Sequence, residues 1–493
     1  MLQETIAKRE EQTLLTKVKQ MFYDPFRNMK KLGALWLGLG ATLLGGLLGL
    51  ALAFPLTNLT VSIVGNVIYL ATIIANPLNG LLLWIVSSPL GHLYLNISLG
   101  QNIPDLSPAR LCVALLCVLL LAQTAIRKRK LAPFTSTDMM GVLLMVGLGL
   151  SIINDYSRWQ KTIQVIFDNY YLPVLVYFVA KNLITQRQDV DKVLRAVMFF
   201  GIYAALYAIY EHQTGNILFR ADHVTFTQYS DSGLHVLRGL LDRSDHFGAL
   251  FSMVIPLNFY LYLKAPTATK KTWYAITLAI LFIGIFFTYK RTAWIAIIVS
   301  FFIIQLFYKQ FRRLFFVLLL VFLVVLGATW NDVSQSEVVT NRINSKLSTV
   351  EGRTEGWNAA ISLWARQPFF GYGFGNYGTV AQELGVQDTA LESAHLDVLF
   401  GTGLFGFVPY VAWFICILWD SIRLFRKTRQ NGAVKPDIDQ DLLIIFWGVF
   451  LGYLINYTTT VANVSPVTLV FYLLIGSLVG SQVQFLSPGR SER

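Results

Sequence analysis

Long apolar runs recur along almost the whole chain, and they constrain its fold more than any other feature. A helix needs roughly 20 apolar residues to cross a bilayer, and only helices and closed barrels satisfy their backbone hydrogen bonds there. The 493 residues are 55% hydrophobic and 14% charged, whereas soluble domains carry about 25% charged residues. The sequence therefore predicts an all-α polytopic membrane protein.

Fourteen apolar segments are candidate spans, or about 12–14 transmembrane helices if the second and third form a re-entrant pair. They are Leu32–Phe54, Leu59–Ala75, Pro77–Leu90, Leu111–Ile126, Met139–Ile153, Val165–Ala180, Val193–Tyr210, Phe247–Leu263, Trp273–Phe287, Ala293–Phe307, Leu314–Trp330, Leu396–Trp419, Leu442–Tyr457 and Val467–Phe485. We expect a cytoplasmic N-terminal segment 1–31, one transmembrane domain 32–485 and a cytoplasmic tail 486–493. The first segment is charged and no small-residue cleavage site follows the first apolar run, so we expect a cytoplasmic segment and not a signal peptide.

The basic residues predict the orientation. With the N-terminus inside, every short basic cluster falls on the cytoplasmic side, as the positive-inside rule requires. The expected location is thus the inner membrane, with both termini cytoplasmic, and the net charge of +12 does not indicate nucleic acid. Two long segments then lie on the periplasmic side, a smaller outer loop 211–246 and a large loop 331–395.

The central parts of the predicted spans contain few ionisable residues. Their central turns contain almost no Asp, Glu, Lys, Arg or His, although ion-coupled transporters usually carry ionisable groups near the midplane. A small-solute transporter is therefore the weaker alternative to an enzyme that works at the outer surface. The three cysteines lie in apolar runs with no C-x-x-C pair, which is typical of core thiols: Cys112, Cys117 and Cys416.

Four polar motifs fall on the predicted outer side. In chain order they are His235-Val-Leu-Arg238-Gly239-Leu-Leu-Asp242-Arg243, Tyr289-Lys290-Arg291-Thr292-Ala-Trp294, Gly352-Arg353-Thr-Glu-Gly-Trp357 with Gln367-Pro368-Phe-Phe-Gly371-Tyr-Gly373-Phe-Gly375, and Glu392-Ser-Ala-His395-Leu-Asp397 with Gly401-Thr-Gly403-Leu-Phe-Gly406. The spacing of Trp357, Ile361 and Trp364 predicts a short amphipathic helix in the outer interface. The glycine run follows a helix rather than a strand, so it indicates a tight turn and not a nucleotide site.

The residue types in these motifs suit transfer chemistry. An imidazole such as that of His395 can take a proton from a hydroxyl. Guanidinium groups can bind a diphosphate with two parallel hydrogen bonds and stabilise it as it leaves. A lone histidine or arginine at a helix end is more often an interfacial residue. The functional interpretation therefore depends on several such residues lying on the same side of the membrane.

Together the four motifs resemble the O-antigen ligase/polymerase superfamily, of the WaaL and Wzy type. The motifs cover roughly 235–410, and their order and common side carry the similarity. The resemblance implies a GT-C-like membrane fold, with one large periplasmic loop that contains short amphipathic helices. It also implies glycan transfer from undecaprenyl diphosphate at the periplasmic face, without a metal or another cofactor.

The resemblance also assigns residues. Arg238, Arg291 and Arg353, with Lys290 beside them, match the diphosphate-binding positions. His395 matches the proposed catalytic base. Many relatives carry Asn or Ser after that histidine, where this chain has Leu396, and we expect Asp397 to orient the ring instead. A D-x-D string at 437–439 falls on the opposite side and is interpreted as a solvated loop rather than a metal site.

These expectations define an inverting, metal-independent glycosyltransferase of surface polysaccharide synthesis, whether O-antigen, lipopolysaccharide or exopolysaccharide. Its partners would be membrane lipid, the lipid-linked donor and an acceptor, with a chain-length regulator protein as a further candidate. The acceptor stays open at this point. It is lipid A–core for a ligase, another lipid-linked glycan for a polymerase, or a protein hydroxyl for a protein O-oligosaccharyltransferase.

Overall fold

The computed structural model describes residues 42–43, 45–46, 58–97, 105–153, 159–218, 237–308, 312–313, 316, 354–383, 391–430, 438–460 and 466–486. These residues form helices joined by short connections. Within the described ranges, β-structure is limited to one isolated bridge between Ile97 and Leu106. The predicted all-α class is confirmed.

Fifteen helices of the described ranges are numbered in chain order. They are α1 Asn58–Ala75, α2 Pro77–Tyr94, α3 Pro108–Ala125, α4 Ser136–Leu150, α5 Trp159–Ile166, α6 Leu172–Leu183, α7 Arg187–Thr214, α8 Ser244–Lys264, α9 Ala268–Thr288, α10 Arg291–Phe307, α11 354–364, α12 Tyr377–Glu383, α13 Ala394–Gln430, α14 Gln440–Tyr457 and α15 Pro466–Leu486. A π-helical turn, Phe167–Tyr171, joins α5 to α6, so that the three form one continuous helical segment.

The described helices agree with a multi-pass membrane protein. Eight segments are long and apolar enough to cross a bilayer, and Leu59–Ala75, Arg291–Phe307 and Pro466–Gln482 are shorter apolar helices. Twelve of the fourteen predicted spans coincide with described helices, counting α5, the π turn and α6 as one. The other two, Leu32–Phe54 and Leu314–Trp330, lie wholly or largely outside the described residues.

The chain packs as two compact units, 1–125 and 126–493. In the first unit, α1 and α2 form a tight hairpin about Asn76, whose side chain caps α2. Gly80 permits close approach, because a Cβ there would overlap the backbone of Ile73. At the far end of the hairpin, Asn66 Nδ2 donates to the carbonyl of Leu95 at 2.8 Å.

In the second unit, α8 is the central helix, with 16 of its 21 residues buried. By contrast, α9 exposes apolar side chains such as Trp273 and Phe286, as a lipid-facing helix does. Small residues let the backbones approach, as is common in membrane bundles. Ser300 Oγ of α10, for example, donates to the carbonyl of Gly448 in α14 at 2.7 Å.

Several residues that were predicted to lie on the same side of the membrane are in contact with one another. At the end predicted to be cytoplasmic, Lys181 and Asp138 form a buried ion pair, and Lys264 pairs with both Asp439 and Asp441. Asp439 also caps α14, because its Oδ1 accepts from the backbone N–H of Leu442 at 2.9 Å. The part of the D-x-D string that the structure describes is therefore an ion-paired helix cap rather than a purely solvated loop.

Candidate active site

A break in α13 gives the site its frame. Gly403 has φ 59° and ψ −157°, so 394–402 and 404–430 are two helical segments rather than the single predicted span Leu396–Trp419. That backbone region is open essentially to glycine alone. The break leaves backbone N–H and C=O groups without helical partners, and buried groups of this kind must be satisfied elsewhere.

The glycine loop predicted to turn tightly satisfies those groups. The N–H groups of Tyr372 and Gly373 donate to the carbonyls of Phe400 and Gly401, both at 2.9 Å. In return, the N–H groups of Leu404 and Phe405 donate to the carbonyls of Pro368 and Phe369, at 2.8 and 3.1 Å. Gly371 has a positive φ of 65°, and a Cβ there would overlap the carbonyl of Phe400. The two glycine motifs therefore form one interlocked structure.

The preceding helix anchors this loop. The predicted amphipathic helix is α11, which buries Ala360 and Leu363 against Tyr377 and Phe400 and leaves Ile361 exposed. The loop also rests on the π-helical turn, where the ring of Tyr170 lies 4.9 Å from that of Phe374. Such turns occur often at functional sites.

The break also determines the partners of His395. A straight helix would place residues 15 positions apart roughly 22 Å from each other, yet His395 Nδ1 lies 2.8 Å from the hydroxyl of Tyr410. Nε2 lies 3.2 Å from the carbonyl oxygen of Leu454 in α14. Since a carbonyl can only accept, Nε2 carries the hydrogen of the neutral ring, and Tyr410 donates to Nδ1.

Asp397 therefore accepts neither of the two ring hydrogen bonds, and the expectation that it orients His395 is corrected. The physical reason is the fold-back at Gly403, which brings Tyr410 to the ring. Asp397 is half-buried and lies close enough to Tyr170 and Tyr410 to act on them electrostatically.

Arg238 is held through its backbone. The N–H groups of Arg238 and Gly239 donate to the two carboxylate oxygens of Glu211, at 2.8 and 3.1 Å. Glu211 is fully buried near the end of α7. Gly239 lies against Tyr207, where any side chain would overlap the phenol ring. This clamp fixes the start of the Arg238 side chain, which is half-buried.

A chain of charges connects three segments of the site. Arg243 Nε donates to Asp245 Oδ1 at 3.1 Å, and Lys290 acts on the same carboxylate electrostatically. Burial alone would lower the pKa of Arg243, but Asp245 and Glu392 raise it above its ordinary value, so the guanidinium stays charged. Glu392 is three residues before His395. The start of α8, the α9–α10 junction and the start of α13 therefore lie together.

The two-residue link between α9 and α10 holds the next two predicted residues. Tyr289 is left-handed with φ 53°, Lys290 occupies the N-cap position of α10 without a side-chain capping bond, and Arg291 is the first residue of α10. Arg291 is exposed and makes no hydrogen bond or ion pair with the part of the chain that the structure describes. Its guanidinium is thus available to a ligand. Arg353 and His235 lie outside the described residues.

Among the described residues, no group of three or more His, Cys, Asp or Glu side chains could hold a metal ion. The three cysteines are free thiols, of which Cys112 is buried. Positive charge at the site comes from Arg238, Arg243, Lys290 and Arg291.

Residues 276–411 match the family model Wzy_C, described as O-antigen ligase. This part of the chain is similar to the O-antigen ligase family. This match confirms the resemblance to the O-antigen ligase/polymerase superfamily, and the family implies a membrane enzyme that transfers glycosyl groups between a lipid-linked glycan and an acceptor. The matched region contains Lys290, Arg291, Arg353 and His395, whereas Arg238 lies before it. A search of curated proteins finds no match.

Several residues that shape this region were not predicted from the sequence. Tyr410 could not be found, since its contact with His395 depends on the break at Gly403. Glu211 lies 27 residues before Arg238, and only the fold brings the two together. Asp245 and His246, in contrast, directly follow the first motif, and their proximity to Arg243 was a visible signal.

Proposed function

We propose that this protein is an inverting, metal-independent glycosyltransferase that moves a glycan from undecaprenyl diphosphate to an acceptor hydroxyl. The reaction takes place at the periplasmic face of the inner membrane, in the synthesis of a surface polysaccharide. One observation carries the proposal. Asp245 interacts with Arg243 and Lys290, and Arg243 in turn interacts electrostatically with Glu392, three residues before His395. These contacts support a single site that contains the cations and His395.

The sidedness of the proposal rests on the basic clusters. They put both termini in the cytoplasm and the outer loops 211–246 and 331–395 in the periplasm. The contacts support a common side for the site residues, because the starts of α8, α10 and α13 lie at one end of the second unit. The pair of Lys264 with Asp439 lies at the other end, where α8 ends and α14 begins.

In the proposed reaction, the cations hold the diphosphate while the acceptor oxygen attacks the anomeric carbon. The exposed fork of Arg291 suits a diphosphate best, and Arg238, Lys290 and Arg353 supplement it. The bond from the anomeric carbon to the diphosphate oxygen breaks, and undecaprenyl diphosphate leaves with its negative charge compensated. A single displacement of this kind inverts the anomeric configuration.

The proton of the acceptor goes to His395. Because Nε2–H is engaged with Leu454, the proton must arrive at Nδ1. The acceptor hydroxyl therefore replaces the Tyr410 hydroxyl at that nitrogen. Most of the rate enhancement would come from positioning and from cationic stabilisation of the leaving group.

The acceptor within this proposal is a carbohydrate or protein hydroxyl, and three classes fit. Lipid A–core would make the protein a ligase, a second lipid-linked glycan a polymerase that could work with a chain-length regulator, and a Ser or Thr hydroxyl a protein O-oligosaccharyltransferase. We expect the outer loop 331–395 to distinguish them, because in sequence it leads directly to His395.

Reconstitution tests the proposal. The purified chain in lipid vesicles, given an undecaprenyl-diphosphate-linked oligosaccharide, should release undecaprenyl diphosphate when an acceptor is added. The rate should be the same with EDTA present. A single transfer product indicates a ligase, and a ladder indicates a polymerase. Release that needs Mg²⁺ or Mn²⁺, or no release with any of the three acceptor classes, would contradict the proposal.

A further inference from the structure

Two buried acceptor atoms next to the cations are not explained by the diphosphate. Asp245 and His246, in the first turn of α8, are only 5% and 4% exposed. Asp245 Oδ2 and His246 Nε2 have no hydrogen-bond partner among the described residues. Burying a polar atom without a hydrogen bond is unfavourable, so such atoms in a native structure call for a hydrogen-bond partner.

The contacts of the neighbouring atoms determine whether Asp245 Oδ2 and His246 Nε2 act as hydrogen-bond donors or acceptors. His246 Nδ1 lies 3.0 Å from the carbonyl oxygen of Leu241, which can only accept, so Nδ1 carries the hydrogen and Nε2 offers a lone pair. Asp245 Oδ1 already accepts from Arg243, which leaves Oδ2 as a second acceptor. Both atoms therefore need a hydrogen-bond donor.

A phosphate cannot supply that donor, because its oxygens only accept and the Asp245 carboxylate repels them. The donor must belong to something that arrives beside the phosphate. Lys290 and Arg243 both act on Asp245, so the acceptors adjoin the positive groups assigned to the diphosphate. In a lipid-linked glycan, the nearest donors to the diphosphate are the hydroxyl or amide N–H groups of the sugar whose anomeric carbon carries it.

We propose that Asp245 Oδ2 and His246 Nε2 bind a hydroxyl or amide N–H of that first sugar and so recognise it. This inference rests on the proposed function, since the sugar reaches the subsite only with its diphosphate. The subsite lies before the matched region 276–411. It makes the start of α8 a determinant of donor specificity, separate from proton transfer at His395.

Two substitutions separate the ring atoms of His246. In His246→Asn, the amide nitrogen takes the place of Nδ1 and keeps the bond to Leu241, but nothing replaces Nε2. In His246→Gln, the longer amide can put an acceptor where Nε2 was. Gln305→Leu is a matched control, because Gln305 is also buried with an unpartnered Oε1 but lies at the other end of α10.

The experiment measures binding of two probes to the full-length chain in nanodiscs, undecaprenyl diphosphate and undecaprenyl diphosphate N-acetylglucosamine. The wild type should bind the sugar-bearing probe about tenfold more tightly or better, as expected for hydrogen bonds to a charged group. His246→Asn should lose that preference and keep its affinity for the bare diphosphate. His246→Gln should retain part of the preference, and Gln305→Leu all of it.

The contrary outcomes are distinct. Equal binding of both probes by the wild type would overturn the subsite alone, as would a His246→Asn variant that keeps the full preference. A His246→Asn variant that weakens both probes alike would show a structural histidine and would also overturn it. Failure of the wild type to bind either probe would contradict the proposed function itself.

Discussion

Replacing Gly403 by alanine should detach the glycine loop from α13. A Cβ at Gly403 would lie 2.5 Å from the backbone C and O of Phe369. Those atoms cannot move without breaking the hydrogen bonds that join the two segments. The strained backbone of Gly403 adds about 1–3 kcal/mol for a residue with a side chain. The four backbone hydrogen bonds of the junction contribute about 0.5–1.5 kcal/mol each, or roughly 2–6 kcal/mol together.

The free energy required to separate the glycine loop from α13 should therefore fall by about 3 kcal/mol. This corresponds to roughly a hundredfold increase in the equilibrium constant for separation. Hydrogen exchange of the Tyr372 and Gly373 amides, followed by mass spectrometry in detergent, should accelerate by about that factor. Gly375→Ala is the matched control. Gly375 also has a positive φ, of 76°, but nothing lies within 4 Å of its Cβ position. Equal exchange in the two variants would refute the interlocked junction.

Three further predictions concern charge and orientation. Arg291→Lys should lower the transfer rate and Arg291→Ala should lower it further with protein level unchanged, because lysine keeps the charge but loses the planar fork; full activity of Arg291→Ala would make it an ordinary interfacial residue. Asp439→Ala should destabilise the fold by about 1 kcal/mol or more, because the helix cap and the ion pair with Lys264 are lost. The midpoint of thermal unfolding should fall, while the transfer rate per folded protein stays near that of the wild type. A selective loss of transfer would make Asp439 part of the chemistry. A topology reporter fused after Lys130, Lys271 or Arg429 should read cytoplasmic and one inserted near Val350 periplasmic; a cytoplasmic signal near Val350 would separate the site from its substrate.

The helices were predictable from the sequence because membrane spans are recorded in local composition. Apolar runs such as Val193–Tyr210 need no tertiary information. The shared side of Lys290, Arg291 and His395 was predictable as well, because each span reverses the side of the next loop. Trp357, Ile361 and Trp364 gave the short helix α11 through their spacing alone.

The internal geometry of the site was not predictable, because it depends on one backbone conformation. The motif Gly401-Thr-Gly403 lies within one predicted span, Leu396–Trp419, yet the break at Gly403 bends the chain and brings Tyr410 to His395. A single sequence does not show that two glycine motifs pair with each other through backbone groups. Likewise, the clamp of Glu211 on Arg238 joins two segments that the sequence keeps apart.

The transfer rate of His395→Ala, expressed per folded protein, tests the central claim most directly. The rate is expressed per folded protein because the variant also loses the hydrogen bonds of the ring to Tyr410 and Leu454. General-base catalysis typically contributes about 10²–10⁴-fold. The account predicts a loss of that size with donor binding retained. A rate near that of the wild type would contradict the assignment of His395 as the base.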